Sequence, residues 1–270
     1  PCLALVNAAQ LAFARPLLAG TEWENLPLLS AAAPFLAGAM ATDAFVNIPV
    51  GELTIRDLVS IYPFANTLSV VRCSGADLRE WLERSATVFN HVMPEQETAQ
   101  LLLNPVPPVY TFDVIMGDAI SGALTYTIDI SSPRRYCEQG RLVDSSARRI
   151  HDLCLDGRPV EDGQMFAVVT NNYRASGGGH FPGTGRDRVI VTTHEHNWDL
   201  LVRYVRRQGC LLQSHTGNGW RFRPLPFDAT VCIDLPISAS IAASQRGDLT
   251  FMEPVEGGSR YRVGRPHFYT

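Results

Sequence analysis

Residues 165–183 read MFAVVTNNYRASGGGHFPG. The opening part, Met165 to Thr170, is apolar and bounded by turn residues, so it predicts a strand. A glycine-rich loop follows directly. Gly177, Gly178 and Gly179 open backbone conformations closed to other residues and let a ligand approach the main chain. Asn171, Asn172, Tyr173 and Arg174 stand beside that backbone. Polar and aromatic groups at a strand end suit a small-molecule site. A tight turn would require the same glycines, and composition alone leaves both readings open. The loop lacks the Gly-Lys-Ser/Thr of a phosphate-binding P-loop and the spacing of a dinucleotide fingerprint. Ser176 is outside any G-x-S-x-G elbow.

Working outward, Leu5, Ala8, Ala9, Ala12 and Phe13 recur at helical spacing and predict a helix over residues 3–19. The apolar segment LLSAAA lies between Pro27 and Pro34. Thr54 and Asp57 form a capping-box pattern opening a short helix through Val59. Thr67 to Cys73 predicts a strand. Ser74 then caps a helix with Leu78, Trp81, Leu82 and Phe89 on its apolar face. Residues 92–112 contain four prolines and read as an ordered loop. Leu124 to Ile130 alternates as a strand. Ile150–Leu155, Asp156-Gly157 and Arg158–Val160 predict a hairpin, because Asp-Gly favours a type I′ turn. Thr193 caps a predicted helix carrying Trp198, Leu201, Val202 and Val205, and the chain beyond Gly219 is strand- and loop-rich. Helices and strands mix without strict alternation, which predicts an α+β fold. No internal boundary stands out, so residues 1–270 read as one domain.

At 270 residues, 46% hydrophobic and 19% charged, the chain can bury a large core and has little room for long disorder. No apolar run approaches a membrane span. A net charge of −4 excludes a general binder of nucleic-acid polymers, which needs a phosphate-neutralising excess. All 23 basic residues are Arg, a bias that a GC-rich genome explains. Cys2, Cys73, Cys137, Cys154, Cys210 and Cys232 are scattered without zinc-ligand spacing and read as free thiols. The chain opens on Pro1 in a helical pattern and reads as a mature protein or a piece of a longer one.

Further candidates are weaker. Tyr62-Pro63-Phe64-Ala65-Asn66-Thr67-Leu68 could stack a planar ring and bond its edge, although alone it reads as ordinary packing. His194 and His196, on adjoining positions of the predicted helix, point apart and do not make a metal site. His151 reads as structural, and Asp113 as a strand-end or turn carboxylate. No cluster of Asp, His and Asn suits a two-metal phosphoesterase centre.

Taken in order, VNAAQ (6–10), LLSAAAPF (28–35), YPFANTL (62–68), FDVIMG (112–117) and TNNYRASGGGHFPG (170–183) resemble the C-terminal domain of the 5′-nucleotidase superfamily. Within it they are similar to the bacterial 2′,3′-cyclic-nucleotide 2′-phosphodiesterase/3′-nucleotidase branch. The last run is specific and the others are individually weak. The resemblance implies an α+β domain with a mixed sheet packed by helices. It implies a periplasmic parent whose N-terminal metallophosphoesterase domain holds two divalent metals and hydrolyses the ester. This chain would then be the nucleoside-binding half, with no catalytic or metal residue of its own.

The resemblance also assigns roles. Phe64 and Tyr173 match the two aromatics that sandwich the base, though the first is often Tyr in this branch. Asn66 matches the residue at the base edge. Arg174 would either pair with the phosphate or brace the loop. Gly177 and Gly178 belong to the matched loop. Gly179 stands where 5′-nucleotidases carry an Asp that accepts from both ribose hydroxyls. A carboxylate there would repel a phosphate on O2′ or O3′, so glycine fits a 3′- or cyclic-phosphate substrate. Asn7, Gln10 and Ser30 lie in matched segments without assigned contacts. Alternatives are a 5′-nucleotidase or nucleotide-sugar hydrolase on the same scaffold, or a stand-alone nonenzymatic nucleotide-binding module.

Overall fold

Apolar runs that show no alternation belong to strands buried on both faces, and three strands of the central sheet, Leu28–Ala32, Thr67–Ser74 and Met165–Asn171, are built from such runs. The computed structural model describes residues 2–37, 45–48, 50–104, 111–209 and 219–264. In chain order the elements are α1 (Cys2–Leu18), β1 (Leu28–Ala32), α2 (Ile55–Ile61), β2 (Thr67–Ser74), α3 (Gly75–Ser85), β3 (Gln100–Leu101), β4 (Val114–Gly117), β5 (Leu124–Ile128), β6 (Ile150–Leu155), β7 (Arg158–Pro159), β8 (Met165–Asn171), α4 (Asn172–Ala175), β9 (Val189–His196), α5 (Asn197–Gln208), β10 (Trp220–Phe222), β11 (Val231–Pro236), α6 (Ser240–Ser244), β12 (Leu249–Val255) and β13 (Gly258–Val263).

The central sheet has the order β4-β1-β8-β2-β9. Strands β1 and β8 are parallel and the other pairs antiparallel, so the sheet is mixed. One face carries Leu28, Leu68, Val70, Ala167 and Val169 against Leu11, Ala14 and Leu18 of α1 and Leu200 of α5. The other carries Leu29, Ala31, Val71, Cys73, Phe166 and Val168 against Leu78, Trp81 and Leu82 of α3 and the inner side of a second sheet. That second sheet is ordered β10-β5-β6-β7, and a third is ordered β12-β13-β11-β3. The α+β class read from the sequence is the class observed.

Local signals account for many boundaries. Thr54 and Ser74 each complete a capping box, with Asp57 and Asp77 bonding back to the cap backbone. Asp156 and Gly157 both take positive φ, 49° and 74°, as a type I′ turn requires.

Three expectations are corrected. Thr193 caps no helix: it lies inside β9, its hydroxyl donating to Leu68 O at 2.9 Å, and α5 begins only at Asn197. Pairing with β2 overrides the local cap signal, and His194 and His196 end a strand rather than start a helix. Phe89 lies past α3, beyond a 3₁₀ turn over Ala86–Val88, but stays in the core through an edge-on contact with Phe112 at 5.1 Å. The buried face of α1 includes Ala4, Asn7, Gln10, Leu11, Ala14 and Leu18, whereas Ala12 is exposed. Counting apolar residues alone missed that two amides belong to that face. The cysteines Cys2, Cys73, Cys137, Cys154 and Cys232 are free, and Cys210 lies outside the described residues.

Candidate functional site

Strands β2 and β8 pair antiparallel with Leu68 opposite Asn171. The YPFAN segment therefore enters the pair at the same end where the NNYR segment leaves it. Each residue of NNYR has a distinct task. The Asn171 side chain caps α4 by accepting from Arg174 N at 2.8 Å. Asn172 Oδ1 accepts from Thr67 N at 3.1 Å and ties the turn to β2. Tyr173 projects outward and is 58% exposed, while Arg174 turns inward and is 5% exposed.

Phe64 presents the second aromatic face, 46% exposed. Its ring is braced edge-on by Phe35, centroids 5.0 Å apart, and Phe35 in turn meets buried Tyr62 at 4.8 Å. Tyr173 is seated differently. A Cβ placed on Gly178 would lie 2.6 Å from the Cε1 and Cζ atoms of its ring, so the ring rests against bare backbone. Phe64 and Tyr173 thus stand at one end of the β2–β8 pair, each supported on one side and open to solvent on the other. Such faces can stack a planar base, at roughly 1–3 kcal/mol per base.

The turns of the loop need its glycines. Gly177 and Gly179 have φ of +96° and +78°, the left-handed region that favours glycine. At Gly179 a Cβ would also come within 2.4 Å of Arg174 Nη1. Geometry alone therefore requires a glycine there, independently of any charge argument.

Arg174 braces the loop. Its Nε and Nη2 donate to the two oxygens of Asp113 at 2.9 and 3.0 Å, and Nη1 donates to Gly178 O at 2.8 Å. Its guanidinium also lies over the Phe181 ring, 3.8 Å from the centroid. Of the two roles open to Arg174, the structure displays the brace. Asp113 is correspondingly a buried ion-pair partner, also accepting from Trp81 Nε1 at 2.8 Å.

The matched segments without assigned contacts form a buried polar chain. Ser30 Oγ donates to Gln10 Oε1 at 2.7 Å, Gln10 Nε2 to Asn197 Oδ1 at 3.4 Å, and Asn197 Nδ2 to Tyr62 Oη at 3.1 Å. Asn7 Nδ2 donates to Val114 O at 3.1 Å. These groups organise the wall behind the YPFAN segment. The backbone N–H of Asn197 donates to Asn66 O at 2.9 Å and fixes that turn directly. The Asn66 side chain is half-buried, and together with Asn171 and Asn197 it neighbours the Tyr62 hydroxyl, whose pKa burial pushes up against those amide hydrogen bonds. Sequence reading missed Asn197, Phe35 and Trp81. Only Phe35 had a signal, as the last residue of a matched segment.

Cavities of about 410 and about 780 Å³ lie elsewhere, and their walls include none of Phe64, Asn66, Tyr173 or Arg174. Among the described residues no group of three His, Cys, Asp or Glu is placed to hold a metal ion. No helix among them is long and apolar enough to cross a membrane.

Residues 5–186 match the family described as 5′-nucleotidase, C-terminal domain. The chain is 36% identical over 253 residues to the 2′,3′-cyclic-nucleotide 2′-phosphodiesterase/3′-nucleotidase of Yersinia enterocolitica, covering 91% of this chain and 38% of that protein. It is 37% identical over 226 residues to the trifunctional nucleotide phosphoesterase of Bacillus subtilis, covering 83% of this chain and 15% of that protein. A solved 5′-nucleotidase precursor from Thermus thermophilus shares the fold, with a TM-score of 0.55 at 19% identity, over 82% of this chain and 34% of that one. The chain belongs to the 5′-nucleotidase C-terminal domain family. Its curated relatives bear phosphoesterase names, and it spans less than two-fifths of the length of either one compared here.

Proposed function

We propose that this chain is the nucleoside-recognition half of a two-domain, metal-dependent phosphoric ester hydrolase, a 2′,3′-cyclic-nucleotide 2′-phosphodiesterase/3′-nucleotidase working in nucleotide catabolism in the periplasm. The observation that carries the reading is the pair of half-exposed rings, Phe64 and Tyr173, held at one end of the β2–β8 pair. Base stacking between such faces tolerates any base, which suits a broad nucleotide range. Asn66, which can both donate and accept, would meet the base edge. Gly177, Gly178 and Gly179 would let the ligand approach the main chain, and Arg174 would hold the loop around it.

Two divalent ions would be held by an N-terminal metallophosphoesterase domain of the longer protein. There they would supply hydrolytic chemistry by polarising the phosphate and activating water. This chain would bind and orient the nucleoside and perform no chemical step. Alone, it is expected to be inactive.

The test uses the full-length protein with 3′-AMP and 5′-AMP. A higher kcat/KM for 3′-AMP is expected, and Tyr173→Ala should weaken adenosine binding by about 1–3 kcal/mol in a folded variant. Preference for 5′-AMP would point instead to a 5′-nucleotidase on the same scaffold. Adenosine binding without hydrolysis of either nucleotide would leave a nonenzymatic module.

A further inference from the structure

Three donors converge on the Asp113 carboxylate. Trp81 Nε1 at 2.8 Å and Arg174 Nε at 2.9 Å reach one oxygen, and Arg174 Nη2 at 3.0 Å reaches the other. Asp113, Trp81 and Arg174 are all buried. A buried carboxylate needs a paired charge and satisfied lone pairs, and here both come from residues on different elements. Trp81 belongs to α3 and Arg174 to α4, the short helix after β8, while Asp113 directly precedes β4.

The arrangement has a direction. Asp113 holds Arg174 by two bonds, the same guanidinium fixes the Gly178 carbonyl at 2.8 Å, and the Gly178 backbone is the surface under the Tyr173 ring. Arg84, which is also buried, lies over the same Phe181 ring at 5.1 Å, against 3.8 Å for Arg174. Burial, and then the neighbouring Arg174, push the Arg84 pKa down, with Asp113 acting in the opposite sense. Asp113 thus serves as counter-charge beneath the whole glycine loop.

We propose that Asp113 and Trp81 are positioning residues for the stacking face of Tyr173, acting through Arg174 and the Gly178 peptide. The proposal rests on the reading of Tyr173 as a base-stacking residue. Neither Asp113 nor Trp81 meets the ligand. They set where the Tyr173 ring rests, so their loss should be felt as binding, and only while Tyr173 is present.

A double-mutant cycle on the full-length protein tests this, with adenosine as the probe, its Kd read by calorimetry and folding followed by thermal melting. Tyr173→Ala and Asp113→Asn should each weaken adenosine binding by about tenfold, and the double variant should bind no more weakly than Tyr173→Ala alone. Asp113→Glu should recover part of the affinity. Trp81→Phe, a smaller perturbation, should cost about twofold to threefold and lose that effect in the Tyr173→Ala background. A purely structural role would lower Tm without changing the Kd of the folded protein. An unchanged Kd in folded Asp113→Asn, or a loss that adds in full to that of Tyr173→Ala, overturns the proposal. Should Asp113→Asn not fold, an absent or fully additive loss in Trp81→Phe overturns it equally. An unchanged Kd in Tyr173→Ala itself would sink the stacking role, and this inference with it, before any Asp113 variant is made.

Discussion

The ring of Tyr173 lies against the backbone of Gly178, close enough that a single methyl group at position 178 would meet the ring at 2.6 Å. Gly178 lies outside the positive-φ positions of the loop, but a Cβ there would also come within 2.6 Å of the Tyr173 carbonyl oxygen, so alanine presses on the turn backbone as well as on the ring. Gly178→Ala should therefore lower Tm and, in the folded variant, weaken adenosine binding by up to the stacking contribution of one ring, about 1–3 kcal/mol. Calorimetric titration of the full-length variant checks it. Unchanged affinity would mean that the ring tolerates displacement or does not stack.

Gly179 calls for a paired comparison. At φ +78° any side chain is strained, by about 1–2 kcal/mol for alanine. Its Cβ also presses on Arg174 Nη1. Gly179→Ala should therefore lower Tm by several degrees, about 2–8 °C on this scale. Gly179→Asp adds a charge to the same steric change. If charge matters at this position, the Asp variant should bind adenosine at least as well as the Ala variant, through the free ribose hydroxyls, but disfavour 3′-AMP further. Equal ratios of adenosine to 3′-AMP affinity in the two variants would leave the glycine explained by geometry alone.

The chain Ser30–Gln10–Asn197–Tyr62 is buried, and each lost link strands a partner. An unsatisfied buried polar group costs about 1–3 kcal/mol. Asn197→Leu leaves both Gln10 Nε2 and Tyr62 Oη without that partner and should destabilise by about 2–4 kcal/mol. Tyr62→Phe removes a hydroxyl that the Asn66, Asn171 and Asn197 amides share but leaves the Ser30–Gln10–Asn197 bonds in place, and should cost less, about 1–2 kcal/mol. Thermal melting of the two variants gives the ratio, and equal losses would argue against a continuous network.

Acid should weaken a different contact. Burial tends to raise the Asp118 pKa, but hydrogen bonds from Arg15 and Ser121 outweigh it and hold the carboxyl below its ordinary value of 3.8. Arg15 Nε donates to Oδ2 at 3.0 Å and Ser121 N to Oδ1 at 2.6 Å. A depressed folded-state pKa stabilises the protein above the unfolded pKa, and that stability disappears as pH falls through the folded one. The Tm gap between wild type and Asp118→Asn should be full above about pH 5 and close as pH drops below about 4. A gap that persists undiminished at pH 2 would show that the carboxylate charge is not what stabilises the turn.

The strands were readable because TLSVVRC and MFAVVT are apolar on both faces, and a doubly covered sheet demands that. Thr193 misled because Ser and Thr favour caps in isolation, whereas pairing with β2 holds the eight-residue β9 extended. Asn7 and Gln10 were invisible as core because their burial depends on partners far away in the chain, Val114 and Asn197. For the site, Phe64, Asn66 and Tyr173 came from motif order, which no periodicity contains. The supporting roles of Phe35, Asn197 and Trp81 are defined by three-dimensional neighbours: Phe35 showed only as the end of a matched segment, Trp81 only as a core residue of its helix, and Asn197 not at all. Arg174 was found as a residue, but its partner Asp113 lies 61 positions earlier, so its bracing contact could be read only from the fold.

Thr67 and Asn172, the residues that join the two aromatic segments, are 105 positions apart in the chain. A contact of that span closes late, after the loop entropy of the intervening chain has been overcome. The unfolded chain therefore has no fragment of the site to offer, and a partly folded chain lacking the β2–β8 pairing has two unrelated aromatics. A nucleoside able to bind only the joined strands would act as a ligand of the native state, raising the melting temperature with its concentration. Nucleoside in the medium would then double as a clamp on the middle of the sheet.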